Sequence, residues 1–233
     1  MTVRHFLTAL TAFAASAASA QDIVRTDGKP ADLSKPVKVF ILLGQSNMVG
    51  LGKVTGGDGS LEQAVKEKKK YPYLVDESGA WVQRKDVRYV QVMQGRGGGG
   101  MQLLNNDWLT VKGGKMGPEF GLGHPLGNAV DAPVMILKSC IGNRSLSWDL
   151  LPPGSERFEF VVKDKAGKET KLVYAGYKDR PESWEMDAAK KLTTEPPPRV
   201  DKKTGKPIDG YAGKQWDDDI AYAKKVLSEL DNY

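Results

Sequence analysis

The chain has 233 residues, of which 40% are hydrophobic and 27% charged, a balance typical of one globular domain. A net charge of +5, spread over scattered basic residues, argues against nucleic-acid binding. No apolar run after residue 20 is long enough to span a membrane. One cysteine excludes an intrachain disulfide, and two histidines with that cysteine argue against a zinc cage.

The first twenty residues have the pattern of a secretory signal peptide. Arg4 precedes a small, apolar stretch at 6–17, and small residues bracket a cleavage position after Ala20. This pattern predicts a mature chain that begins at Gln21 and a secreted or periplasmic protein. A buried N-terminal helix is the alternative interpretation. Residues 21–35 are polar and interrupted by prolines, which predicts a linker.

Four elements are predicted between the linker and the middle of the chain: a strand at 37–43, a helix at 61–70, a hairpin around the turn at 76–79, and a strand at 87–93. The first strand is nearly all apolar, as in strands buried on both faces of a parallel sheet. Ser60 and Gln63 form a capping-box pattern at the start of the helix.

The middle of the chain adds a loop, a helix and a second buried strand. The glycine-rich loop at 95–100 lacks a Gly-Lys-Ser/Thr ending and a dinucleotide fingerprint, so it is a poor phosphate cradle. Pro118 and Glu119 suit the first turn of a helix that runs toward Val130. Residues 134–138 form a compact apolar strand. Two buried strands that end in Gly-containing loops predict an α/β domain whose ligand site lies beyond their carboxyl ends.

Residues 151–214 are predicted to be a long surface insertion that contains an exposed hairpin and, at 193–210, a polar excursion with little core. A final helix is predicted at 216–230, with an apolar stripe of Trp216, Ile220, Ala223, Leu227 and Leu230. Three successive aspartates favour the positive N-terminal end of this helix. A metal site is the alternative, weakened because neighbours in sequence point in different directions on a helix.

Ser46 is the candidate nucleophile. It follows the first buried strand in a turn opened by Gly44, where its hydroxyl would face the ligand side of the sheet. Its own backbone N–H could there point at a developing oxyanion. The residue types alone leave a second interpretation open, a serine that caps a helix. The Gly-x-Ser-x-Gly nucleophile elbow is absent.

Three stretches stand beside these predicted elements: Gly-Gln-Ser-Asn-Met at 44–48, Met-Gly-Pro-Glu-Phe-Gly at 116–121, and Lys-Ser-Cys-Ile-Gly-Asn-Arg-Ser at 138–145. Together they resemble blocks of the sialate O-acetylesterase-like families of SGNH hydrolases, and the first is highly specific for that group. The resemblance covers about residues 36–150. It implies an α/β fold, the three-layer α/β/α SGNH (flavodoxin-like) hydrolase with a parallel sheet, and no metal or organic cofactor.

The resemblance also implies roles for individual residues. Ser46 would be the nucleophile and one oxyanion donor, Gly142 would be the second donor, and the two neighbours of Ser46 would shape its loop and contact substrate. Asn143 stands where many relatives have another glycine. Arg144 would bind a sugar hydroxyl or carboxylate, or would be a surface arginine. The predicted site residues are therefore Gln45, Ser46, Asn47, Gly142, Asn143 and Arg144.

The chain departs from the family pattern in its C-terminal half. Relatives continue with a Trp-x-Gln-Gly-Glu block that supplies a third oxyanion donor, and end with Asp-x-x-His, the orienting acid and the general base. Neither block occurs here. His5 leaves with the signal peptide, and His124, on a predicted helix, is interpreted as structural or exposed. We therefore expect a truncated coding sequence, with residues 36–233 forming a partial domain.

These observations predict a secreted carbohydrate O-acetylesterase with a serine nucleophile, inactive as this chain. Its substrate would be an acetylated carbohydrate, and the sequence predicts no oligomeric state. A non-catalytic secreted carbohydrate-binding module on the same fold is the alternative, since the chain lacks a usable histidine.

Overall fold

The computed structural model describes residues 30–95, 99–180, 193–194, 205 and 210–229. The predicted signal peptide, most of the predicted linker and most of the predicted excursion at 193–210 lie outside the described residues. The end of the linker is described, and Lys35 there forms an ion pair with Asp131 at 2.6 Å.

The strands are β1 (Lys38–Leu42), β2 (Gly52–Lys53), β3 (Arg84–Gln94), β4 (Met101–Leu109), β5 (Lys115–Met116), β6 (Val134–Ser139), β7 (Phe158–Lys163), β8 (Glu169–Tyr174) and β9 (Thr193–Thr194). The α-helices are α1 (Ser46–Val49), α2 (Glu119–Ala129) and α3 (Lys214–Glu229). A π-helical turn at Gln63–Glu67 and a 3-10 turn at Pro72–Leu74 complete the regular elements described.

A mainly parallel sheet, ordered β1-β6-β3-β4, forms the centre of the fold. The central strand β6 is buried along its whole length and runs parallel to both β1 and β3. The edge strand β4 pairs antiparallel with β3. The expectation that the strands at 37–43 and 134–138 are parallel members of one sheet is confirmed.

Helices cover both faces of this sheet. Alternate residues of β6 enter two separate cores, because successive side chains on a strand point to opposite faces. Ile136 packs with Phe120 of α2 in one core. Leu137 packs with Ala223 and Val226 of α3 in the other. The result is the predicted α/β fold with three layers.

The predicted helix toward Val130 is confirmed as α2, despite its glycines and Pro125. Those glycines have a packing role. A Cβ on Gly123 would lie 2.4 Å from Cδ2 of Leu109, and one on Gly127 would lie 2.6 Å from Cγ2 of Val87. The residues that lower helix propensity therefore let α2 lie close to the sheet.

The helix α3 buries a different face from the predicted stripe. Its buried residues are Gln215, Asp219, Ala223 and Val226. Of the predicted stripe, Ala223 is buried, Trp216 and Ile220 are half-buried, Leu227 is 44% exposed, and Leu230 lies outside the described residues. The predicted stripe was wrong because the buried face of α3 includes two polar residues, Gln215 and Asp219. Their side chains can be buried because they are hydrogen-bonded to each other.

Other differences are local. The helix predicted at 61–70 ends at Glu67, and the first arm of the hairpin predicted around 76–79 is a 3-10 turn. The turn is nevertheless closed by one antiparallel bridge between Val75 and Trp81. The exposed hairpin predicted within the insertion is confirmed as β7 and β8. None of the described helices is both long and apolar enough to cross a membrane.

Two backbone segments cross in close contact beside α1. The antiparallel pairing of β2 with β5 brings Gly50 against Gly117. Gly50 has φ +98°, and a Cβ built on it would lie 2.5 Å from the backbone N of Gly117. Only glycine fits this crossing without displacing backbone atoms.

We therefore expect Gly50→Ala to lower the free energy of unfolding by about 2–4 kcal/mol, the sum of backbone strain and overpacking. Urea unfolding measures the loss. Gly56→Ala is the matched control, since Gly56 has φ +107° and a Cβ added to it would meet nothing within 4 Å. Equal losses in the two variants would contradict the close crossing.

Candidate active site

The register of the sheet brings Ser46 and Gly142 together. Leu42 on β1 pairs with Lys138 on β6. Ser46 lies four residues after Leu42, and Gly142 lies four residues after Lys138. Both lie beyond the carboxyl ends of parallel strands, the edge where ligands bind in α/β sheets. A Cβ built on Gly142 would lie 3.7 Å from Ser46 Oγ.

Ser46 is the first residue of α1 and is half-buried. Its hydroxyl donates a hydrogen bond to Oε1 of Gln45 at 2.7 Å and makes no capping bond to the helix. The helix-cap interpretation of Ser46 is therefore wrong, because Gln45 occupies the N-cap position. Asn47, the other predicted neighbour, is exposed beside it.

The loop after β6 holds the remaining predicted site residues. Asn143 has φ +63°, a left-handed conformation that glycine adopts freely and asparagine tolerates. This explains how asparagine can stand where relatives have glycine. Arg144 is half-buried and anchored, since its Nε donates to Oε1 of Gln215 at 3.0 Å and its Nη1 to the Asn143 carbonyl at 3.1 Å.

A buried polar cluster joins this loop to α3. Gln215 Nε2 donates to Oδ1 of Asp219 at 2.8 Å, and Ser139 Oγ donates to the Asp219 carbonyl at 2.9 Å. Asp219 Oδ2 has no hydrogen-bond partner in the described part of the chain. Burial of this carboxyl, opposed by its bonds from Gln215 and Ser139, raises the pKa of Asp219 to about 7.

The three successive aspartates have separate partners. Asp217 accepts hydrogen bonds from the hydroxyls of Tyr177 and Tyr211, and Asp218 pairs with Lys214 at 2.7 Å. Only the third carboxylate is buried in the protein core. Among the described residues, no group of three or more His, Cys, Asp or Glu could hold a metal ion.

His124 lies away from Ser46. It is buried in α2, with its ring centroid 5.2 Å from that of Tyr73, and its carbonyl accepts a bond from Arg84. Arg84 begins β3, at the amino-terminal edge of the parallel strands, whereas Ser46 lies at the carboxyl edge. Burial, with a contribution from the Arg84 cation, lowers the pKa of His124 to about 4.

The His124 imidazole is therefore expected to stay neutral through the physiological range. Its NMR resonances should not move between pH 8 and about 5.5, and should titrate with a midpoint near 4 if the fold persists. A midpoint near the ordinary 6.5 would show that the ring is solvated. The measurement needs no variant, because His124 is the one histidine that remains after cleavage at the predicted position behind Ala20.

A buried ion pair, which the sequence analysis did not identify, lies next to the site. Lys138 Nζ is 2.7 Å from Oε2 of Glu119, and their side chains are 1% and 4% exposed. The same ammonium donates to the carbonyl of Val49, the last residue of α1. The sequence did contain a signal for this pair. Lys138 is a charged residue in an otherwise apolar strand, and a buried charge needs a partner.

One comparison with known proteins gave a match, and it identifies a family. A family model described as carbohydrate esterase, sialic acid-specific acetylesterase, matches residues 36–174, which is more than half of the 233 residues. Searches of curated proteins and of solved structures found no match. The matched range contains both the Ser46 loop and the Gly142 loop. The chain therefore belongs to the sialic acid-specific acetylesterase family of carbohydrate esterases.

Proposed function

We propose that this chain carries the nucleophile-bearing part of a secreted esterase that removes O-acetyl or similar acyl groups from carbohydrates. Family membership supports the reaction class. The observation that carries the proposal is the proximity of Ser46 Oγ to Gly142, where a Cβ would lie 3.7 Å away at the carboxyl edge of the sheet. Export of the protein rests on the signal-peptide pattern of residues 1–20.

In this reaction the Ser46 hydroxyl attacks the ester carbonyl carbon and gives its proton to a histidine. The N–H groups of Ser46 and Gly142 stabilise the negative oxygen of the tetrahedral intermediate. The sugar hydroxyl then leaves with the proton, and the acyl group stays on Ser46 as an ester. Water, deprotonated by the same histidine, releases the carboxylic acid and restores the serine.

Since His124 is buried toward the other edge of the sheet, none of the described residues supplies the histidine of this scheme. The same observation favours the alternative, a non-catalytic carbohydrate-binding module that keeps the cleft without the base. The two functions differ in product, because only the esterase releases acid from its ligand.

The test is acetate release from O-acetylated sialic acid and from acetylated neutral sugars. The protein should be expressed from the full reading frame, including any codons that follow Tyr233. We expect release that Ser46→Ala abolishes and Ser78→Ala, in an exposed turn, leaves intact. Saturable binding of these sugars without acetate release, unaffected by Ser46→Ala, would support the binding module instead.

A further inference from the structure

One buried cation, Lys138, contacts Glu119 in the stretch at 116–121 and Val49, the residue directly after the stretch at 44–48. Lys138 Nζ donates to Glu119 Oε2 at 2.7 Å and to the Val49 carbonyl at 3.0 Å. It also lies 5.3 Å from the ring centroid of Tyr89. Lys138 precedes the Gly142 loop, Glu119 begins α2, and Val49 ends the helix that carries Ser46.

The other carboxylate oxygen of Glu119 extends this connection. Oε1 accepts a hydrogen bond from the N–H of Gly117 at 2.9 Å. Gly117 in turn lies against α1, since a Cβ built on it would be 3.0 Å from the Met48 carbonyl and 3.1 Å from Cα of Gly50. The C-terminal end of α1 is therefore held by a hydrogen bond on one side and by a backbone contact on the other.

The helix α1 needs such external support. It has four residues, and a helix this short is not stable by itself in water. Its own backbone bonds include those from the N–H groups of Val49 and Gly50 to the carbonyls of Gln45 and Ser46. These bonds fix the shape of the turn, but they do not fix its orientation relative to β6.

A buried ion pair is also a poor device for stability alone. The desolvation of two charges offsets their attraction, and a well-packed apolar pair of similar volume is often as stable. An ammonium has several donors, however, and can hold separate acceptors in one geometry. The buried Lys138–Glu119 pair is therefore better explained by a need to align α1 with β6 than by a gain in stability.

We propose that Lys138 and Glu119 are positioning residues that hold α1 in the orientation that keeps Ser46 against Gly142. Lys138 belongs to the segment that leads into Gly142, so one side chain couples the nucleophile to the second predicted oxyanion donor. The inference rests on the proposed function of Ser46.

A thiol at position 46 makes this alignment measurable. In the variant Ser46→Cys, the rate of alkylation by iodoacetamide as a function of pH gives the pKa of the introduced thiol. The proposed oxyanion donors, the N–H groups of residue 46 and Gly142, lie beside this atom and should place its pKa about one unit below the ordinary 8.5, against the opposite effect of the Gln45 oxygen that accepts from the side chain at 46. Burial raises the pKa of the natural Cys140 to about 12, so that thiol stays unreactive, and peptide mass spectrometry assigns the product.

The decisive variant adds Glu119→Gln to Ser46→Cys. This change removes a negative charge and leaves the Lys138 cation, so a purely electrostatic effect would lower the thiol pKa. Loss of alignment predicts the opposite sign, a rise of about one unit. The alkylation rate at pH 7 should fall about threefold, because a more basic thiolate partly compensates for its lower population.

Asp86→Asn is the matched control. It makes the same carboxylate-to-amide change in the ion pair with Arg84, which is buried at the opposite edge of the sheet. We expect it to leave the reactivity of the thiol at position 46 unchanged. If Glu119→Gln alone does not fold, Lys138→Met combined with Glu119→Gln removes both charges together and should also raise the thiol pKa.

An unchanged or lowered thiol pKa in these variants would overturn the positioning role. An ordinary thiol pKa in Ser46→Cys alone would count against the proposed function instead. With an ordinary thiol pKa, the positioning role is tested separately, by hydrogen exchange of the backbone amides of α1. Glu119→Gln should then speed exchange at Val49 and Gly50 at least about tenfold, whereas Asp86→Asn should not. If neither variant changes the exchange rates of Val49 and Gly50, the orientation of α1 does not depend on the Lys138–Glu119 pair, and the positioning role is wrong.

Discussion

Expressed as its 233 residues, the chain should hydrolyse p-nitrophenyl acetate negligibly, and Ser46→Ala should change that rate little. A serine hydroxyl is a weak nucleophile near neutral pH without an adjacent base. The hydroxyl of Ser46 donates to the Gln45 side-chain oxygen, which cannot accept a proton at this pH. His124 is buried and bonded toward the opposite edge of the sheet.

In a chain extended through an Asp-x-x-His segment, the same substitution should lower turnover on the order of a million-fold, the loss typical of a complete serine triad. The comparison of the two chains, each with and without Ser46→Ala, separates the nucleophile from the base. Robust hydrolysis by the 233-residue chain that disappears with His124→Ala would show that His124 is the base. Robust hydrolysis that survives Ser46→Ala would remove the nucleophile assignment.

The sequence was sufficient to place Ser46 and Gly142 because their positions depend on a simple pattern. Both follow short, nearly continuous apolar strands, and such strands tend to pair in parallel. The prediction that the first strand is buried on both faces was wrong, because β1 lies at the edge of the sheet and Ile41 is 39% exposed, whereas β6 is fully buried. Once β1 and β6 are neighbours, their loops meet at one edge. Local composition therefore carried most of the information about this part of the fold.

The polar contacts around the site could not be predicted in the same way. Glu119 is an ordinary first-turn residue of a helix by sequence, and its pairing with Lys138 depends on how α2 packs on β6. Gln215 and Asp219 look like solvent-facing residues of an acidic helix start, yet both are buried. Polar residues that satisfy each other inside the protein leave no apolar periodicity for a sequence pattern to detect.

Asp219 should make the protein lose stability as the pH rises from about 4 to about 7. Its pKa is raised to about 7 in the folded chain, mainly by burial, from the ordinary 3.8. Below about pH 4 the carboxyl is neutral in both states, so it costs no stability. Between the two pKa values the unfolded chain ionises while the folded chain keeps the proton, which favours unfolding.

The total loss is about 4 kcal/mol, from about 1.4 kcal/mol for each of about three pH units. Above about pH 7 both states are ionised, and the contribution of Asp219 stays constant. The charged groups that face the carboxyl oppose each other, since Arg144 lowers the pKa and Asp218 raises it. His124 has the reverse dependence, because its lowered pKa removes stability as the pH falls from about 6.5 to about 4.

Because these two slopes partly cancel, the measurement is the difference between the unchanged chain and Asp219→Asn in urea unfolding from pH 4 to 8. The amide keeps the acceptor for Gln215 and Ser139 and never ionises. The two proteins should be similar at pH 4, and the variant should be more stable by up to about 4 kcal/mol at pH 8. Asp218→Asn, in a partly exposed pair with Lys214, should change stability by less than about 1 kcal/mol at every pH. A difference that stays flat, or that favours aspartate as the pH rises, would show that the folded protein holds Asp219 ionised.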